Sequence, residues 1–153
     1  MVRFVASLAL TGCFLAMLAC SSLQPTPVEP SKAVFESISI SPEAGSEVTW
    51  ATIVTAEVHY RIDNFDATSR DYFLAFVFNS NKCEECSFNA NPRFDDEYKV
   101  VSSVGVATIQ YPLENLRGDS RLRTPVTAWV VLVQKTGVHS ATTIAISDPI
   151  KYR

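Results

Sequence analysis

The chain has 153 residues, room for one folded domain and little more. Charged residues make up 19% and the net charge is −3, with no cluster of Lys and Arg, which argues against the phosphate-neutralising surface of a nucleic-acid binder. Composition divides the chain at residues 1–19, 20–32 and 33–153. The last stretch, about 120 residues, is long enough to bury one hydrophobic core.

Met1-Val2-Arg3 is a short basic start, and Phe4 to Ala19 then runs without a charge. That run falls short of the roughly 20 apolar residues of a spanning helix but suits the hydrophobic part of a secretory signal. It closes on Ala16-Met17-Leu18-Ala19-Cys20-Ser21-Ser22. These residues resemble the lipobox of bacterial lipoproteins, in which a small residue precedes the cysteine that becomes the mature N-terminus. The resemblance implies cleavage before Cys20, a diacylglyceryl group and an amide-linked fatty acid on that cysteine, and attachment to a membrane. Each buried methylene contributes about 0.8 kcal/mol, so two or more chains make the attachment effectively permanent. Ser21 after the cysteine, rather than Asp, points by the same family rule to the outer membrane. Leu10-Thr11-Gly12-Cys13 matches the lipobox residues better, yet it shortens the hydrophobic run and strands Phe14–Ala19 on the mature protein. Length therefore favours Cys20, with Cys13 the alternative. Ordinary signal-peptidase cleavage places Met17 where a small residue is wanted, and an uncleaved anchor is the remaining rival. Loss of residues 1–19, whose one charged residue is Arg3, takes the net charge from −3 to −4.

Ser21 to Lys32 holds Pro25, Pro27 and Pro30 and no aromatic residue, the composition of a semi-extended tether. From Ala33 the chain breaks into short apolar segments divided by turn signals. Val34, Ile38 and Ile40 alternate with Phe35, Ser37, Ser39 and Ser41 as a first strand, and Pro42 to Ser46 reads as a turn. Thr52 to Ile62 places Val54, Ala56, Val58, Tyr60 and Ile62 on one face and Thr55, Glu57, His59 and Arg61 on the other, a strand with one solvated side. Tyr72 to Phe78 is apolar on both faces, as a central strand is. Lys99 to Tyr111, β-branched and interrupted by Ser103 and Gly105, is either one bulged strand or two strands around a tight corner. Val126 to Val133 is a second doubly apolar strand, turned by Thr136-Gly137-Val138 into Ala141 to Ile146, with Pro149 limiting its extension. No twelve-residue window carries a helical period, and helix is expected only as a turn within 112–122, such as Leu113 to Leu116.

Six to eight strands with no helix to cover a sheet face predict an all-β domain, a β-sandwich, with a small β-barrel as the alternative. Ser39-Ile40-Ser41-Pro42-Glu43-Ala44-Gly45-Ser46-Glu47-Val48, followed by the alternating strand that ends at Tyr60-Arg61-Ile62, resembles the first two strands of immunoglobulin-like and fibronectin-III-like domains. The resemblance covers about thirty residues. It lacks the paired core cysteines of antibody domains and a tyrosine corner.

Cys83-Glu84-Glu85-Cys86 is the most conspicuous chemical motif. In an exported protein two thiols so spaced most simply form a local disulfide, worth about 2 kcal/mol before strain. A redox role needs a depressed thiolate pKa, which two intervening glutamates oppose, and zinc needs two ligands besides the cysteines, for which the mature chain offers, apart from carboxylates, only His139 and a His59 on the solvated face of a distant strand. The pair lies in a long polar loop, Asn79 to Glu97, that also holds Phe88 and Phe94. Asp63, Asp66 and Asp71, and separately Asp95, Asp96 and Glu97, are read as exposed loop carboxylates, with calcium the alternative. Arg117, Arg121 and Arg123 are diluted by Asp119 and Glu114. No Gly-x-Ser-x-Gly elbow is present, and nothing joins His59 or His139 to a nucleophile.

The expectation is a non-enzymatic binding or accessory module of the cell envelope, with no cofactor and no nucleic-acid partner, whose partner is an envelope protein or a glycan. A structural subunit of an envelope complex is the alternative, and a thiol-redox or hydrolytic enzyme comes third. The doubly apolar strands 72–78 and 126–133 add the expectation of a homodimer through an exposed sheet face.

Overall fold

A computed structural model describes residues 29, 31–80, 98–117, 125–135 and 141–153. Its strands in chain order are β1 (Lys32–Ser41), β2 (Ile53–Asp63), β3 (Asp71–Ser80), β4 (Lys99–Val100), β5 (Val104–Pro112), β6 (Val126–Lys135), β7 (Ala141–Ile146) and β8 (Ile150–Lys151). They form two antiparallel sheets, β1-β2-β5 and β4-β3-β6-β7, with β8 beside β6. The sheets do not close on each other, so the fold is a β-sandwich and the barrel alternative falls. A 3-10 turn at Leu113–Leu116 falls within the window the sequence allowed.

β2 behaves as its alternation predicts. Val54, Ala56, Val58, Tyr60 and Ile62 are buried, while Glu57 and Arg61 face water. The opposite layer supplies Tyr72, Leu74, Phe76 and Phe78 from β3 and Val126, Ala128, Val130 and Leu132 from β6. At ~1.5–3 kcal/mol for each fully buried large apolar side chain, this interleaved set is the main source of stability.

β1 departs from the simple alternation. Its pairing with β2 shifts between Phe35 and Ser37, leaving Glu36 as the extra residue of a bulge. Before the bulge Ala33 and Phe35 face the core, and after it Ile38 and Ile40 do. Val34, expected on the face of Ile38 and Ile40, is therefore 45% exposed. An inserted residue flips the parity of everything on one side of it.

Lys99 to Tyr111 is two strands rather than one. β4 pairs with β3 and β5 with β2, so the corner at Val101–Ser103 carries the chain from one sheet to the other. Ser103 accepts a hydrogen bond from the Ile62 amide at 2.7 Å, which fastens the corner to β2. Gly105 sits opposite Tyr60. A Cβ at that position would lie 2.7 Å from the Tyr60 hydroxyl, so the close approach requires glycine.

The doubly apolar reading of β3 and β6 holds. Their outward residues Phe73, Ala75, Val131 and Val133 are buried in the chain itself, with Val77 and Trp129 packed against them. The outer face of this sheet is thus closed to solvent where those four side chains lie.

The folded domain is already engaged at Ser31. Lys32 already belongs to β1, and the Ser31 side chain is buried. Its hydroxyl donates to the Asn64 carbonyl at 3.1 Å, lies 2.8 Å from the Tyr72 hydroxyl and accepts from the Arg70 guanidinium at 2.8 Å. The Ser31 amide donates to Gln134 Oε1 at 3.3 Å, and Arg70 reaches on to the Glu29 carbonyl at 3.0 Å. Buried polar groups persist where they are hydrogen-bonded, and this network explains why Ser31 and Gln134 lie inside.

Candidate functional site

β1 and β7 are the outer strands of their sheets on the same side of the sandwich, and the described residues give neither a second neighbour. Both run from the pole of the β2–β3 turn toward the opposite pole, because each is antiparallel to a strand that ends at that turn's pole. The two strands approach each other across the sandwich and leave a groove along its rim. This groove, of about 710 Å³, is lined by Phe35, Ile38 and Ile40 from β1, Ala145 and Ile146 from β7, and Ile150 from β8. That volume falls in the roughly 300–1,000 Å³ range of ligand sites.

Two local irregularities shape the groove. The β1 bulge turns both Phe35 and Ile38 inward despite their odd spacing. On the other side β7 shifts register against β6 between Leu132 and Val133, so Ile144 and the adjacent Ala145 both pack toward the core. Beyond Ile146 the Ser147 hydroxyl accepts from the Val130 amide at 2.9 Å and the Ser147 amide donates to the Val130 carbonyl at 2.9 Å. This clip bends the chain before Pro149 and lets β8 take over the edge of β6 at Thr127 and Ala128. Edge strands normally carry charges, bulges or prolines that deter pairing. β1 has Lys32, Glu36 and its bulge, whereas Ala141 to Ser147 has none of these but the bulge.

The groove is polarised. Glu43 and Asp148 line the end where β1 and β7 finish, and they are its only charged residues among the described ones. Two carboxylates beside an apolar floor favour a cation at that end. Ile146, 62% exposed, forms part of the rim.

The residues singled out from sequence are distributed otherwise. Cys13 and Cys20, the lipidation candidates, and Cys83 and Cys86, the disulfide candidates, lie outside the described residues, as do His139, Asp95, Asp96, Glu97, Arg121 and Arg123. His59 stands on the exposed face of the first sheet with Nε2 3.4 Å from Glu57 Oε1. The carboxylates Asp63, Asp66 and Asp71 have separate occupations. Asp66 caps the β2–β3 turn: Oδ1 accepts from the Thr68 amide at 2.9 Å and the Thr68 hydroxyl at 2.6 Å, and Oδ2 from the Ser69 hydroxyl. Those bonds, that of Ser69 foremost and then those of Thr68, hold its carboxyl far below the usual carboxylate range. Asp71 pairs across strands with Lys99 Nζ at 2.8 Å, which lowers its pKa too. Asp63 lies 3.9 Å from Arg61 Nε. Among the described residues no group of three or more His, Cys, Asp or Glu is placed to hold a metal ion.

Sequence reasoning did not find the groove. Its two walls are about a hundred residues apart in the chain, and both depend on register shifts that strict alternation hides. The uncharged run Ala141 to Ser147 was the one available signal. Compared with known proteins, the chain matches no family, no curated protein and no solved structure.

Proposed function

We propose that this chain is a lipid-anchored protein of the bacterial envelope, attached through Cys20: a tethered binding or accessory module that receives its partner in the β1–β7 groove. The observation that carries this reading is the groove itself, a cleft with Phe35, Ile38, Ile40 and Ile150 in its lining, bounded by two strand edges that have no further partner among the described residues, and acidic at one end. The lipobox-like residues and the proline-bearing tether support the address and the outer-membrane location. The order of strands, with β4 beside β3 rather than beside β5, departs from the antibody constant-type arrangement and supports a fibronectin-III-like domain. An envelope protein fits the groove, because its lining mixes Phe35, Ile38, Ile40 and Ile150 with Ser37, Ser147, Glu43 and Asp148 and so suits a polypeptide segment that carries both apolar and polar groups.

The test places a photo-crosslinking residue at Ile146 in the membrane-anchored chain, with Thr108 on the outer face of the first sheet as control. A discrete adduct from position 146 and none from 108 is expected. Equal adducts from both positions, or none from 146, would overturn the groove as the binding site. The anchor is tested separately: Cys20→Ser abolishes labelling by a fatty-acid analogue, and label that survives it but vanishes in Cys13→Ser moves the lipid to Cys13.

A further inference from the structure

We infer that the groove takes an extended peptide segment of a partner protein, added as a strand to β7 in antiparallel sense, with a basic residue near its N-terminal end against Glu43 and Asp148. This deepens the reading of the groove as the binding site and rests on it.

Three observations converge. First, β7 is the less guarded of the two edges. Ala141 to Ser147 carries no charge and no proline, and Thr142, Thr143, Ile144 and Ile146 are β-branched, the residues that favour strand pairing. An exposed edge supplies main-chain donors and acceptors to any incoming strand, and adding a strand to a sheet is a general mode of peptide recognition. Both edges carry a bulge, and β1 is the poorer acceptor because the charged Lys32 and Glu36 lie within it. Second, the cleft beside β7 has side-chain pockets of the right kind. A strand paired to β7 presents alternate side chains to the floor made by Phe35, Ile38 and Ala145 and the others to solvent. The guest is therefore an amphipathic strand of six to eight residues, because six residues of β7 extend about 20 Å. Third, the charge is one-sided. Glu43 and Asp148 stand at the C-terminal end of β7, and no Lys or Arg lines the groove among the described residues. In an antiparallel guest that end meets the N-terminal residues, where a Lys or Arg side chain completes the site. Antiparallel pairing is also the somewhat more stable arrangement per residue. A second copy of this chain offering its own β7 brings no Lys or Arg within Ala141–Ile146.

The probe is a synthetic peptide of two lysines followed by three Val-Thr repeats, titrated into the full chain in detergent while backbone amide exchange is followed. Saturable binding is expected, with slowed exchange confined to Thr142–Ile146. The double variant Glu43→Lys/Asp148→Lys, its fold checked by circular dichroism, is expected to lose about tenfold or more in affinity for this peptide. It is expected to recover binding to a peptide headed by two glutamates. Four results would each overturn the proposal: no saturation by ~1 mM peptide, protection along β1 instead of β7, equal binding when the lysines are moved to the C-terminal end, or self-association abolished by Ile146→Lys. If the peptide fails while the crosslink from Ile146 persists, the occupant is wrong and the groove still binds. If both fail, the groove itself is not the site.

Discussion

At Gly105 one missing side chain is what lets a tyrosine complete the core. The Tyr60 ring lies over this glycine, and its hydroxyl is 3.2 Å from Ser102 Oγ in the corner between the sheets. Gly105→Ala should destabilise the domain by about 1–3 kcal/mol through overpacking. In a Tyr60→Phe background, where the clashing oxygen is gone, the same change should cost less. Urea unfolding of the four proteins measures the coupling, and equal costs in both backgrounds would show that the hydroxyl is not the obstacle. Tyr152 gives a second test. It is buried, its hydroxyl donates to the Pro42 carbonyl at 3.2 Å, and burial pushes its pKa up to about 12. A folded-state pKa above the unfolded value of about 10 means the neutral phenol is favoured in the fold. Its contribution is therefore complete below pH 10 and is lost as pH rises from there through about 12. The urea midpoint should fall over that window, and Tyr152→Phe, less stable at neutral pH, should fall less steeply.

The elements show where sequence is informative and where it is not. β2 is legible because every second residue is apolar and no bulge intervenes, so Val54 to Ile62 point where the alternation says. β1 has nearly as clear a pattern, yet Val34 lies on the wrong side of it, because Glu36 adds a residue that only the partner strand reveals. Lys99 to Tyr111 has two strands that belong to different sheets, a distinction fixed by pairing partners rather than by its own residues. The groove is illegible for the same reason, being made by two shifts of register in strands far apart in the chain. The β2–β3 turn offers a test at this scale. Asp66 is depressed by its turn bonds, so its contribution is present above the unfolded carboxylate pKa and is lost as pH falls below it. The protection of the Thr68 and Ser69 amides, taken relative to their intrinsic exchange rates at each pH, should fall on acidification before that of β2 and β3. Asp66→Asn, which lacks the charge, should remove most of this pH dependence.

For the whole molecule, the two sheets present unlike outer faces. That of the first is solvated, with Val104 and Val106 more than half exposed among Glu57, His59 and Arg61. That of the second buries Phe73, Ala75, Val131 and Val133. Phe73→Ala should therefore cost about 3–5 kcal/mol, as a core truncation does. Val106→Ala, also on an outer face, should stay within about 0.5 kcal/mol. Denaturant titration of both variants decides, and a small loss for Phe73→Ala would mean that its burial contributes little.

The clamp at Ser31 has a mechanical consequence. A pull on the chain from its N-terminal side meets the Arg70 bond to the Glu29 carbonyl and then Ser31, where Arg70, Tyr72, Asn64 and Gln134 hold it. The force then passes along the axis of β1, because the strand leaves the clamp directly. Loaded that way, the hydrogen bonds between β1 and β2 share the strain together and do not open one after another. The domain thus resists a pull applied through Ser31 far better than it would resist having β1 peeled from the opposite end.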